Sequence, residues 1–248
     1  MPEGPSIVIL KEEVQIFEGK KVTAVSGNSK EAIDRCQGEK VTAFKTWGKH
    51  FLICFPDFTV RIHLMLFGSY RINTTKEATP RLSLHFDSGF INFYSCSVKF
   101  IEGDLDAVYD WSADIMNEDW DAKNAVAKLK AQPATLLCDA LLDQNIFAGS
   151  GNIIKNEVLY RLKLHPLNTA GDLPPRALSK LAKETRIYAF DFLRWKKEFT
   201  LKTHWLAHTK STCTRCNIPL QKAYLGKTKR RTFYCDNCQQ LFKPVPDV

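Results

Sequence analysis

An α+β chain of several domains is predicted by three features of the sequence. After a short helical stretch, residues 20–102 are a series of short β-branched and aromatic runs separated by turn residues. From about residue 122 apolar side chains recur at helical spacing. Residues 208–248 are basic and carry two Cys-x-x-Cys pairs. These textures divide the chain into a β domain over 1–115, a helical domain over 116–207 and a metal-binding hairpin module over 208–248.

Each element follows from local pattern. PSIVILKEEVQIF (5–17) has helical apolar spacing directly after the N-terminus. VTAVSG, KVTAFKTW, KHFLICF, FTVRIHLML, SYRIN, RLSLHF and GFINFYSCSVKFI are strand-like, with PDF and DSG between them, and read as an antiparallel sandwich or barrel. EGDLDAVYDWSADIMNEDW (102–120) is acidic and reads as a linker. AKNAVAKLKAQPATLLCDALLDQN reads as two helices, the second starting at Pro133. IFAGSGN (146–152) is a turn, and IIKNEVLYRL is the next helix. Pro166, Pro174 and Pro175 punctuate a loop before one or two further helices ending near Phe199.

Composition excludes several classes. With 44% hydrophobic and 25% charged residues among 248, the chain is globular, neither disordered nor fibrous. No apolar run reaches the length of about 18 residues needed for a membrane span. The start lacks a basic then apolar leader, so a cytoplasmic location is expected. The formal charge is +8, and residues 201–248 hold nine Lys/Arg against two Asp/Glu, a net +7. A basic end on a near-neutral body is an electrostatic footprint for phosphate.

The cysteines sort by spacing. Cys213-Thr-Arg-Cys216 and Cys235-Asp-Asn-Cys238 are separated by 18 residues, as in a closed tetrahedral site. In a reducing cytosol such pairs are metal ligands rather than disulfides. The expected cofactor is one structural Zn2+, with no position left for water. Cys54, Cys96 and Cys138 lie in apolar runs and read as inert buried thiols, and Cys36 receives no role. Between the pairs, Lys222, Lys227, Lys229, Arg230 and Arg231 surround a turn near Gly226, which favours a nucleic-acid backbone.

The N-terminus reads Met1-Pro2-Glu3-Gly4-Pro5. Removal of Met1 would leave Pro2 with a free secondary amine, and an α-amino group near pKa 8 is partly neutral and nucleophilic at pH 7. Glu3 beside it could donate or accept a proton.

With the other motifs, the chain resembles the formamidopyrimidine-DNA glycosylase and endonuclease VIII family of bifunctional base-excision repair enzymes. The resemblance spans MPEGP at 1–5, WGKHFL at 47–52, HLMLFGSYRI at 63–72, LLDQNIFAGSGNIIKNEVLY at 141–160 and the cysteine pairs at 213–238. It implies an N-terminal antiparallel β-sandwich with an N-terminal helix, a helix–two-turn–helix domain and a C-terminal zinc-finger β-hairpin. It implies Pro2 as the nucleophile at C1′, Glu3 as acid/base and Lys49 as a phosphate-binding lysine on a β hairpin. From its surroundings alone Lys49 reads as a strand-end surface lysine. Asn152 matches the family's phosphate-binding asparagine, with Gly149 and Gly151 permitting tight bends and the next helix N-terminus facing phosphate. Arg230, five residues before Cys235, matches the arginine that grips phosphates beside the lesion, with Arg231 adjacent.

The branch is read from fillers. Met65, Leu66 and Phe67 match the residues that plug the vacated stack in endonuclease VIII-type enzymes, Leu66 being central. FYSCSVKF (93–100) lacks the Arg- and Phe-bearing motif of the purine branch, and the segment before the cysteines is short for that branch's lid. Oxidised pyrimidines are therefore the expected substrates. The departure is Ser6, where the family commonly has Glu. The expected partner is double-stranded DNA containing damaged bases or abasic sites, bound by a monomer with no membrane association. The alternatives are a non-catalytic DNA-damage or single-strand DNA-binding protein on the same scaffold, or a zinc-ribbon protein, which leaves the first 160 residues unexplained.

Overall fold

A computed structural model describes residues 2–242. Met1, on whose removal the proline nucleophile depends, and residues 243–248 of the predicted finger segment lie outside the described residues. The chain forms two compact units that divide between Tyr109 and Asp110.

The first unit opens with helix α1 (Gly4–Glu13), which Pro5 starts at a position where a missing N–H costs nothing. Eight strands follow: β1 (Ala24–Ser26), β2 (Ala43–Trp47), β3 (His50–Cys54), β4 (Phe58–His63), β5 (Ser69–Ile72), β6 (Leu82–Phe86), β7 (Gly89–Tyr94) and β8 (Ser97–Glu102). They make two antiparallel sheets, ordered β2-β3-β4-β8 and β1-β6-β7-β5. The alternating apolar residues of both share one core: Phe44, Phe51, Val60 and Ile62 from the first sheet with Leu82, Leu84, Ile91 and Phe93 from the second. The Phe51 and Phe93 rings meet across it at 5.9 Å. The result is a sandwich, closed at one side by Ile7 and Leu10 of α1 and by Val14 just after it.

Two expectations change here. The strand read through FTVRIHLML ends at His63, and Met65, Leu66 and Phe67 sit in the connection to β5. The acidic segment after β8 is not a loose linker. Asp104, Asp110 and Asp121 accept the N–H groups of Asp106 (3.0 Å), Ser112 (3.1 Å) and Lys123 (2.7 Å), so its acids cap short 3-10 turns and the next helix.

The second unit contains α2 (Ala122–Ala131), α3 (Leu137–Ala140), α4 (Asn152–Arg161) and α5 (Pro175–Lys197). The helix predicted to start at Pro133 starts at Leu137 and lasts one turn. The stretch before it is engaged elsewhere: Pro133 O accepts Gly171 N–H (2.8 Å) and Thr135 O accepts Ala170 N–H (2.9 Å). Helix α5 is a single element whose buried stripe includes Leu178, Leu181, Tyr188, Phe192 and Trp195. A two-stranded hairpin, β9 (Gln221–Leu225) and β10 (Arg230–Tyr234), lies between the cysteine pairs, with the turn at Gly226–Lys229. Among the described residues no helix is long and apolar enough to cross a membrane.

Candidate functional site

Site residues of the first unit lie at element ends. Pro2 is half-buried just before α1, and Glu3 is the N-cap residue, with no solvent exposure. The Glu3 carbonyl accepts the Ser6 N–H at 2.8 Å, which starts the helix at once. A carboxyl group completely removed from water is costly unless its surroundings use it, and here it is the direct neighbour of the proline.

Lys49 stands in the two-residue turn between β2 and β3, where Gly48 adopts φ +56°. Helix α1 packs against both of these strands. Across the sheet, Trp47, His50, His63 and Ser97 form one register row. The His50 and His63 rings are 5.2 Å apart, and Tyr109 Oη lies 3.2 Å from His50 Nδ1. Burial, then Arg61, His63 and Lys49, push His50 down to about 3. Burial, then Lys49 and Arg61, also lower His63. The row therefore offers neutral imidazoles beside a lysine. His63 was not singled out in the sequence; its signal was the alternation of Thr59, Arg61 and His63 on the strand face away from the core.

The three residues expected to act as fillers are all exposed: Met65 by 50%, Leu66 by 47% and Phe67 by 83%. Gly68 donates its N–H to Leu64 O at 2.7 Å, and a Cβ on Gly68 would collide with the Leu64 backbone, so the glycine permits this tight loop. Met65 adopts φ +52° within it.

In the second unit, α4 organises the rest. Asn152, its first residue, donates Nδ2–H to Arg231 O at 2.8 Å, which sets the predicted asparagine against the backbone of the predicted arginine. Lys155, fully buried, donates to Thr232 Oγ1 (2.8 Å). Asn156 Oδ1 accepts Phe233 N–H (3.3 Å). The buried carboxylate of Glu157 accepts three backbone N–H groups, from Leu206 (2.9 Å), Ala207 (2.9 Å) and His208 (2.7 Å). Helix and hairpin are thereby joined through polar groups that periodicity did not reveal, because α4 is buried nearly all round. In the preceding turn Gly149 has φ +96°, the left-handed backbone expected of it. Gly151 has φ −136°, which any residue adopts, so a left-handed bend is not its reason for being glycine. Arg230 is half-buried at the start of β10 and Arg231 is exposed.

The Sγ atoms of Cys213, Cys216, Cys235 and Cys238 lie within 4.8 Å of one another. Cys213 and Cys238 are 3.7 Å apart, far beyond a disulfide bond. Tetrahedral zinc with bonds near 2.3 Å would separate its sulfurs by about 3.8 Å. Four thiols at this spacing fit a closed metal site. Tyr160 Oη at 3.1 Å from Cys213 Sγ and Asn237 Nδ2 at 3.3 Å from Cys216 Sγ add polar support around it. Cys36, Cys54, Cys96 and Cys138 are buried, and burial pushes the Cys36 thiol up to about 12.

Comparison with known proteins supplies independent findings. Residues 1–100 match the family model described as the formamidopyrimidine-DNA glycosylase N-terminal domain, and residues 112–188 match the formamidopyrimidine-DNA glycosylase H2TH domain. DNA-(apurinic or apyrimidinic site) lyase Nei2 of Mycolicibacterium smegmatis is 28% identical, over 96% of this chain and 99% of that protein. Endonuclease 8-like 3 of Mus musculus is 29% identical over 82% of this chain, which spans 35% of that protein's length. Lactococcus lactis formamidopyrimidine-DNA glycosylase, solved non-covalently bound to DNA containing an AP site, shares the fold with a TM-score of 0.84 at 21% identity, covering 96% of this chain and 100% of that one.

Proposed function

The chain belongs to the formamidopyrimidine-DNA glycosylase and endonuclease VIII family, and from that premise we propose that it is a bifunctional DNA glycosylase and abasic-site lyase of base-excision repair. The observation that carries the reading is the fully buried Glu3 carboxyl beside Pro2 at the start of α1. A terminal proline amine there attacks C1′ of the damaged nucleotide, and the glycosidic bond breaks as the base leaves. Glu3 handles the proton needed for ring opening or base departure. The resulting iminium draws electrons from the sugar, so the 3′ and then the 5′ phosphate are eliminated (β, then δ) before water releases the enzyme.

Each unit offers phosphate contacts of its own. Lys49 supplies charge and the neutral His63 a hydrogen-bond donor. Asn152, Arg230 and Arg231 serve the same purpose around the finger hairpin. The four cysteines hold zinc, which keeps that hairpin folded and takes no part in the chemistry. Met65, Leu66 and Phe67 fill the space of the extruded base. Apolar fillers favour oxidised pyrimidines as substrates, and a monomer on damaged double-stranded DNA is the working form.

The test is an excision panel of duplexes containing thymine glycol, dihydrouracil, 8-oxoguanine, formamidopyrimidine or an abasic site. Release of the pyrimidine lesions with strand cleavage is expected, with weaker action on 8-oxoguanine. Tight binding to all five without any cleavage would instead indicate a non-catalytic damage-binding protein.

A further inference from the structure

The finger hairpin is anchored at two places. Toward its base, Asn152 and Lys155 of α4 hold Arg231 O and Thr232 Oγ1. At its tip, the Asp139 carboxylate on α3 accepts the N–H of Lys227 (2.8 Å), the N–H of Thr228 (3.1 Å) and the Thr228 hydroxyl (2.8 Å). Gly226, at φ +69°, packs so closely that a Cβ there would run into this carboxylate. Arg230 lies between the two anchors, paired with Leu225 across the base of the loop. Asp139 thus brings a carboxylate from α3 to a loop bearing Lys227, Lys229, Arg230 and Arg231.

We infer that Asp139 is a positioning residue for Arg230, fixing the Gly226–Lys229 loop so that the guanidinium is ordered before DNA arrives. This rests on the proposed DNA-binding function. Charge and position make opposite predictions. Removing a carboxylate from a basic loop raises the local positive potential, so electrostatics alone would tighten DNA binding. Loss of three charge-assisted hydrogen bonds frees the loop, and ordering it again on binding weakens affinity.

The experiment measures binding of the metal-loaded full chain to a duplex bearing a tetrahydrofuran abasic analogue, at several salt concentrations. Asp139→Ala should bind about tenfold more weakly, with the salt slope lowered by about 0.9, as for Arg230→Ala. The double variant Asp139→Ala/Arg230→Ala should bind like Arg230→Ala alone, because both act through one group. Asp139→Asn, which keeps one acceptor oxygen, should lose less, and zinc content should stay at one per chain. Asp139→Ala binding as tightly as wild type or tighter, while Arg230→Ala is weak, overturns the inference alone, as do additive losses in the double variant. Wild-type affinity in Arg230→Ala overturns the DNA-binding role of Arg230 and the inference with it. Should Asp139→Ala shed zinc, the isosteric Asp139→Asn decides: a weakened, zinc-loaded protein supports positioning, and unchanged affinity refutes it.

Discussion

Truncating the proposed filler loop should separate its function from folding, because Phe67 is mostly in water and Met65 and Leu66 are about half so. Fully burying a Leu, Met or Phe side chain is worth about 1.5–3 kcal/mol. Phe67 is 83% exposed, so insertion into a DNA stack would bury most of it, gaining about 1.2–2.5 kcal/mol. Leu66 is 47% exposed and has about half its surface left to bury, worth about 0.7–1.4 kcal/mol. At 1.4 kcal/mol per factor of ten, Phe67→Ala should slow excision of a paired lesion roughly 8- to 60-fold and Leu66→Ala roughly 3- to 10-fold. Stability should change by no more than about 0.5 kcal/mol for Phe67→Ala, since little folded-state contact is removed. The assay is single-turnover excision of dihydrouracil from a duplex, set against cleavage of a preformed abasic site. The abasic site has no base to extrude and should be cut almost normally. Equal losses on both substrates in a folded variant would refute base extrusion and indicate general positioning. A larger loss at Leu66 than at Phe67 would refute the area argument.

Two further perturbations follow from the two units. Cys235→Ser, or chelation, should remove the metal and DNA affinity together while the β-sandwich stays folded, because the finger core is only a few residues such as Tyr160, Leu220 and Phe233; metal analysis finding no zinc in freshly purified protein would contradict this. His50 is held down to about 3 while the unfolded chain takes up its proton near 6.5. Stability from this group is therefore complete above pH 6.5 and falls as pH drops toward 3, by about 2 kcal/mol at pH 5. Urea titrations at pH 7.5 and 5 should show wild type losing that much more than His50→Gln, and parallel losses would exclude His50 as the cause.

What could be read from the sequence was local. Pro2 and Glu3 stand next to each other, the cysteines declare their site by spacing, and the helix at 152–161 and the turn at Gly226 follow from pattern. What could not be read depends on chain segments meeting. His63 joins the Lys49 turn only because β3 and β4 pair His50 with His63. The α3 start moved because Pro133 and Thr135 bond residues 170 and 171, which no local rule anticipates. Asp139 reaches Lys227 and Thr228 across 88 and 89 residues of sequence. The strand predicted through FTVRIHLML took in Met65 and Leu66 because hydrophobicity argues for burial, whereas a tight loop at Gly68 presents both, with Phe67, to solvent.

The central claim is that the Pro2 amine forms the covalent bond to DNA. Borohydride reduction during reaction with abasic duplex should trap a stable enzyme–DNA complex, and peptide mapping should place the attachment at Pro2. Pro2→Gly should trap far less. Undiminished trapping by a protein whose terminal amine is blocked would contradict the account and move the nucleophile to a lysine.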